Sequence, residues 1–225
     1  MDHSFPFISA ILLAGGKGTR IGGPTPKQFI RLNNKPIALY SYELFASLPF
    51  IKELIVVCES PYTHFFEKKG TFPPLFATPG KERQDSVHNG FQLTSASSEF
   101  ILFHDCARPF IQKEDVENLV MAGIQIGAAA LGTPLTYTLK SVDSNQYVRE
   151  TMDRNSFYEI QTPQIIEKNL YKKGFLEAEK KGLYLSDDVG LVELLNHPVK
   201  IVIGNDRNSK ITTSKDLLIA RAMLS

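Results

Sequence analysis

The alternation of short apolar runs with amphipathic stretches limits what this chain can fold into more than any other feature. "SAILLAG" (9–15), "ELIVVCE" (53–59), "PLFAT" (74–78), "FILFHD" (100–105) and "GAAALGTP" (127–134) read as strands. Between them, 38–48, 83–94 and 113–125 carry apolar residues at helical spacing, and a further helical stretch lies around 61–69. This rhythm specifies an α/β fold: a Rossmann-like, mostly parallel, doubly wound central sheet flanked by helices.

The rhythm breaks at 135–152. "TYTLKSVDSNQYVRET" alternates polar and apolar residues around the turn "DSNQ", which predicts a hairpin and not a crossover helix. No helix in the pattern covers it. It either projects as an arm against a second subunit, which would make the protein a homodimer, or adds an antiparallel pair to the same sheet. Helical stretches at 167–181 and 186–196, a strand at 200–204 and a helix at 214–224 complete the reading. Without repeats or linkers, residues 1–225 are expected to form one domain, with 135–152 as its arm.

Bulk properties narrow the class. In 225 residues, 43% are hydrophobic and 22% charged, which suits a chain with a real core. A net charge of +1 gives no global field for nucleic acid or membrane, so any anion site is local. Two cysteines, both in strand-like apolar surroundings, argue against a disulfide framework. No secretory leader pattern and no run of spanning length is seen, and the expected location is cytoplasmic.

The loop after the first strand, "LLAGGKGTRIGGPTPKQF" (12–29), is rich in glycine and carries Lys17, Arg20 and Lys27. From His3 to Tyr42 there is no acidic residue. The dinucleotide fingerprint fails at Ile21, and no lysine follows the glycine pair of a P-loop. The physics is nonetheless that of a phosphate loop. Glycines free backbone N–H groups to turn towards an anion, and cations neutralise it. Its place at the carboxyl end of a parallel strand is where open α/β sheets bind ligands. A solvated basic loop is the plainer alternative.

"LAGGKGTR" with "PKQF", then "GKERQDSV" (80–87), "HDCARPF" (104–110), "MDRN" (152–155), "QTPQ" (161–164) and "SKITT" (209–213), follow in an order that resembles the 2-C-methyl-D-erythritol 4-phosphate cytidylyltransferase family of isoprenoid biosynthesis. Ribitol-5-phosphate cytidylyltransferases share most of these motifs. The resemblance spans nearly the whole chain and implies a nucleotidyltransferase fold with a projecting hairpin arm. It implies CTP and a small polyol phosphate as substrates and Mg²⁺ as the cofactor.

Residue by residue, the resemblance implies that Ala14, Gly15 and Gly16 lie against the nucleotide and that Arg20 and Lys27 grip its phosphates. Gly80 and Ser86 would recognise the cytosine, and Arg83 would hold the loop or the phosphates. Residues alone allow a plainer reading of 80–87, as a turn and a helix N-terminus. Asp105 would contact the acceptor's hydroxyls or the metal-bound phosphates, and Arg108 the acceptor phosphate; an Asp105–Arg108 ion pair closing the turn is the alternative. Thr138 and Arg154 would bind the acceptor phosphate across a dimer interface, with Thr162 and Thr212 nearby and "QTPQ" forming a rigid turn. Lys210 would serve both substrates. Arg20, Lys27, Arg154 and Lys210 form the catalytic set, Asp105 is the candidate metal ligand, and His104 is read as structural. Lys81 and Tyr137 stand where relatives often carry acids. A nucleotide-binding module without activity is the competing class.

Overall fold

A computed structural model describes residues 5–16, 21–22, 25–67 and 73–224. The elements in order are β1 Ile8–Leu13, β2 Arg31–Leu32, β3 Lys35–Pro36, α1 Ile37–Ser47, β4 Ile51–Val57, β5 Leu75–Ala77, α2 Arg83–Phe91, β6 Phe100–Asp105, α3 Lys113–Ile126, β7 Ala128–Pro134, β8 Lys140–Val142, β9 Val148–Thr151, β10 Tyr158–Glu167, α4 Lys168–Lys181, α5 Gly190–Glu193, β11 Lys200–Ile203 and α6 Ser214–Ala222. Seven strands form the central sheet in the order β11-β7-β10-β6-β1-β4-β5.

β1, β4, β6 and β7 are apolar along most of their length because both sides of the sheet are covered. Successive residues point to opposite faces. Ala10, Leu12 and Leu102 join Tyr42 and Phe45 of α1 and Leu119 and Val120 of α3 on one side. Ile11, Ile101 and Phe103 join Val87 and Phe91 of α2 and Tyr171 of α4 on the other. β2, β3 and α6 enclose a small third cluster around Leu32, Ile37, Ile211 and Ala220.

β10 departs from the sequence-based reading, which assigned no strand between 152 and 167 and took 161–164 as a turn. The segment is a ten-residue strand lying antiparallel between β6 and β7. Its ladder with β7 breaks between Ile160 and Gln164. Pro163, after a cis Thr162–Pro163 bond, falls in that gap, where its missing N–H interrupts nothing. Two expected helices differ: of 61–69, residues 68 and 69 lie outside the described residues and the described part holds a 3-10 segment, Ser60–Phe65, while 186–196 contains only the single turn of α5.

The hairpin at 135–152 is present as β8 and β9, which pair with each other and not with the central sheet. They extend the end of the antiparallel β7–β10 pair, where Leu135 N–H donates to Phe157 O at 3.1 Å.

Candidate active site

β1, β4, β5 and β6 run parallel and end on the same side of the sheet. The loops leaving β1, β5 and β6, with the 3-10 turn Lys27–Phe29 and the loop before α6, enclose a cavity of about 450 Å³. Its wall is backbone where glycine allows it. Gly15 faces the β5–α2 loop, where a Cβ would fall 2.4 Å from Pro79 Cγ, and a Cβ on Gly16 would fall 3.0 Å from Gln28 Nε2. Gly80 N–H donates to Ser86 Oγ at 2.9 Å. α2 is started by a reciprocal cap, in which the Glu82 and Asp85 side chains each accept the other's backbone N–H. The plain reading of 80–87, a turn and a helix N-terminus, is the structure observed, and that helix start forms part of the cavity wall.

Lys27 is placed by the aromatic residue two positions further along the chain. Phe29 stacks on Tyr62 with ring centroids 4.2 Å apart, which anchors the 3-10 turn. The buried Lys27 side chain runs to Ile211, donating from Nζ to its carbonyl oxygen at 2.7 Å. Ile211 N–H in turn donates to Ala107 O at 2.9 Å. Asp216 completes this loop, accepting from the backbone N–H groups of Thr212 and Thr213, at 2.8 Å each, and from the Thr212 hydroxyl at 2.7 Å. Lys210 thus enters the cavity on a loop fixed at both sides.

Asp105 ends β6 and is almost fully buried. Lys210 Nζ lies 2.6 Å from its Oδ2, and Arg83 Nη2 3.4 Å from its Oδ1. Burial alone would raise this carboxyl, but the charges of Arg83 and Lys210 outweigh it and hold the group well below the usual carboxylate range. Asp105 is therefore ionised at any physiological pH. No Asp105–Arg108 ion pair closes the turn; Arg108 Nη1 donates instead to Asn208 O at 2.8 Å.

Of the residues singled out in the sequence, Gly15, Gly16, Lys27, Gly80, Arg83, Ser86, Asp105, Lys210 and Thr212 line this one cavity. Ala14 is buried behind it, with its N–H on Val57 O. Thr162 is buried and its hydroxyl is engaged, accepting from Asp105 N–H at 3.0 Å and lying 3.2 Å from His104 Nδ1. It therefore supports Asp105 and does not face the cavity. Thr138 and Arg154 sit on the exposed arm away from the cavity wall, with Arg154 Nη1 donating to Thr136 O at 2.9 Å. Arg20 and Lys17 lie outside the described residues.

Sequence reasoning missed Gln28, Glu59 and Ala107 in the wall, and Asp188, Gln164 and Asn208 behind it. Gln28, Ala107 and Gln164 lie inside quoted motifs and Asn208 directly precedes "SKITT", so their adjacency to the singled-out residues was the available signal. Glu59 and Asp188 had no local signature.

His104 is structural, as read. Burial outweighs its neighbours' effects and depresses the imidazole to about 3. Below an unfolded value of about 6.5, the unfolded chain takes up a proton that the folded ring refuses. Stability present at neutral pH is thus lost as pH falls from about 6.5 towards about 3. His88, also depressed by burial, adds to the same slope. Urea unfolding at pH 7 and pH 5 is expected to show this loss, and His104→Gln to make the curve flatter. An unchanged slope in the variant would remove His104 as its source.

A glycine-walled, cation-bearing cavity at the carboxyl ends of a doubly wound sheet, with an ionised acid on the central strand end, is the layout of a nucleotidyltransferase. The family model for IspD, 2-C-methyl-D-erythritol 4-phosphate cytidylyltransferase, matches residues 8–225, and the chain belongs to that family. It is 43% identical over 221 residues to the chloroplastic 2-C-methyl-D-erythritol 4-phosphate cytidylyltransferase of Oryza sativa subsp. japonica, covering 97% of this chain and 74% of the rice protein. It is 40% identical to the Chlamydia pneumoniae protein of the same name, covering 96% and 98% of the two chains. Among solved structures, the 4-diphosphocytidyl-2C-methyl-D-erythritol synthase of Anaerococcus prevotii superposes with a TM-score of 0.86 at 28% identity, over 97% of this chain and 98% of that one.

Proposed function

We infer that this chain is a cytidylyltransferase that moves CMP from CTP to 2-C-methyl-D-erythritol 4-phosphate, giving 4-diphosphocytidyl-2-C-methyl-D-erythritol and pyrophosphate. The family and its relatives carry the reaction class. The observation that carries the mechanism is the convergence of Lys27, Lys210 and Asp105 on one glycine-walled cavity.

The acceptor is a phosphate monoester with a second pKa of about 6, so it is largely dianionic at neutral pH and needs no general base. One of its oxygens attacks the α-phosphorus of CTP in line. The new P–O bond forms as the bond to the β-phosphate oxygen breaks, and pyrophosphate takes the electron pair. The protein's task is to hold two repelling anions together and to stabilise charge on the departing group. The backbone at Gly15, Gly16 and Gly80 receives the nucleotide, while Lys27 and Lys210 meet its phosphates. Arg20, by the resemblance of its loop to the family motif, would add a third cation.

Among the described residues no group of three or more His, Cys, Asp or Glu side chains forms a metal cage. Asp105, ionised and at the cavity wall, fits an ion that takes one carboxylate and completes its shell with phosphate and water, as Mg²⁺ commonly does. Such an ion supplies charge neutralisation on the polyphosphate.

The acceptor side is completed by a second subunit in this reading. The arm exposes Tyr137, Tyr147 and Val148 at 78%, 72% and 59%, an apolar cover suited to an interface. Thr138 and Arg154 would reach a partner's acceptor phosphate from it, and the protein would work as a homodimer. Arg154→Ala is then expected to raise the acceptor KM by about ten-fold or more with little change for CTP. An unchanged acceptor KM would remove the arm from the site. No helix among the described residues is long and apolar enough to cross a membrane.

The deciding experiment is pyrophosphate release from CTP and Mg²⁺ with 2-C-methyl-D-erythritol 4-phosphate, with ribitol 5-phosphate, and without acceptor. Release with the erythritol compound alone is expected. Release with ribitol 5-phosphate alone would move the acceptor, and silence with both would leave a nucleotide-binding module.

A further inference from the structure

Arg83 stands between two buried carboxylates, and it does not treat them alike. Its Nη1 and Nη2 donate to Asp188 Oδ1 and Oδ2 at 2.8 Å each, a bidentate fork. Its approach to Asp105 is longer, with Nε and Nη2 both 3.4 Å from Oδ1. Asp105 Oδ2 is left to Lys210 at 2.6 Å. Asp188 is 3% exposed and lies off the cavity wall, so it touches no substrate.

Both carboxylates hang from the same strand. Thr162 of β10 holds the backbone N–H of Asp105. Two residues on, Gln164 Oε1 accepts from the backbone N–H groups of Asp188 and Val189, at 2.9 Å each, and is itself buried. Asp187 holds the other end of that amide, accepting from Gln164 Nε2 at 3.1 Å. The spacing of the two acids, and so the position of the guanidinium between them, is built into β10.

Without Asp188 the partly buried guanidinium would have one carboxylate, Asp105, within ion-pair distance. It would close its fork on both oxygens of Asp105 and displace Lys210.

We propose that Asp188 is a positioning residue for cytidylyl transfer: by holding Arg83 in a bidentate pair it keeps the guanidinium at arm's length from Asp105, so that Asp105 Oδ2 stays available to Lys210 and to the cavity. This rests on the reading of Asp105 as a working group of the site.

The test is a double-mutant cycle on the full-length enzyme, with kcat measured at saturating CTP, Mg²⁺ and acceptor and with melting temperatures confirming folded protein. Asp188→Asn is expected to lower kcat by about ten-fold or more. Asp105→Asn should lower it further, and the double variant should be no worse than Asp105→Asn alone within about two-fold, because Asp188 acts through Asp105. A purely structural role would instead multiply the two losses, and that outcome, or wild-type kcat in Asp188→Asn, overturns the proposal. Wild-type kcat in Asp105→Asn would bring down the reading of Asp105 itself. If Asp188→Asn does not fold, Arg83→Lys serves in its place. It keeps the charge but cannot hold the fork, and the same non-additivity with Asp105→Asn is expected and the same additivity would refute it.

Discussion

Lys27→Ala is expected to lower kcat by about a hundred- to a thousand-fold, the usual cost of removing one preorganised group that stabilises transition-state charge. The CTP dissociation constant, measured by calorimetry without acceptor, should change much less. The asymmetry comes from how the residue is held. Its stem is buried and its ammonium is fixed by the Ile211 carbonyl, on a turn anchored by the Phe29–Tyr62 stack. A cation that cannot relax contributes most where charge develops, on the departing pyrophosphate, and less to a flexible triphosphate at rest. A kcat within a few-fold of wild type would take Lys27 off the catalytic list. Equal losses in kcat and in CTP affinity would make it a binding residue.

Gly80→Ala is expected to have the second large effect, on nucleotide binding. A Cβ at this position would fall 2.2 Å from Asp85 Cβ and 2.9 Å from both Asp85 C and Ser86 N. These are backbone and near-backbone atoms of the first turn of α2, so relief requires the turn to move. Overpacking of this kind costs about 1–3 kcal/mol. It would also pull Gly80 N–H from Ser86 Oγ and disturb the Glu82–Asp85 cap. The CTP KM should rise by about ten-fold or more with a lower melting temperature. Ser86→Ala provides the contrast, because it removes the hydrogen bond and leaves the backbone in place. If Gly80→Ala bound CTP normally, the wall between Gly80 and Ser86 would not be where the nucleotide rests.

The strands buried on both faces were legible because β1, β4, β6 and β7 carry apolar residues nearly end to end. β10 was not. Its first three residues, Tyr158, Glu159 and Ile160, are exposed, and Pro163 sits in its middle. A central strand with such a residue contradicts the local rule, and only the register gap resolves the conflict. The site divides in the same way. Gly15 and Lys27 sit in a glycine-rich cationic loop, and Asp105 at the carboxyl end of a buried strand, whose residue types point to a ligand site, whereas Gly80 was marked only by the family resemblance. The partner that fixes Arg83 lies 105 residues further along the chain, in a segment with no pattern of its own. Nothing in "SDDVG" distinguishes Asp188, bound to Arg83, from Asp187, bound to Gln164.

β10 also governs when the site can exist. In order of synthesis, Arg83, Asp105 and Arg108 emerge well before the groups that hold them. Thr162, Asp188, Asn208 and Lys210 all come from residues beyond 160. A domain generally folds as a unit, and without β10 the sheet would have an open edge at β6, with a carboxylate and two guanidinium groups near it and no fixed geometry among them. The vacant place beside β6 is filled only when β10 arrives, and the last quarter of the chain then supplies the remaining partners. The glycine wall of the cavity is encoded early and the groups that align its charges late, so the assembled cavity depends on the last quarter of the chain.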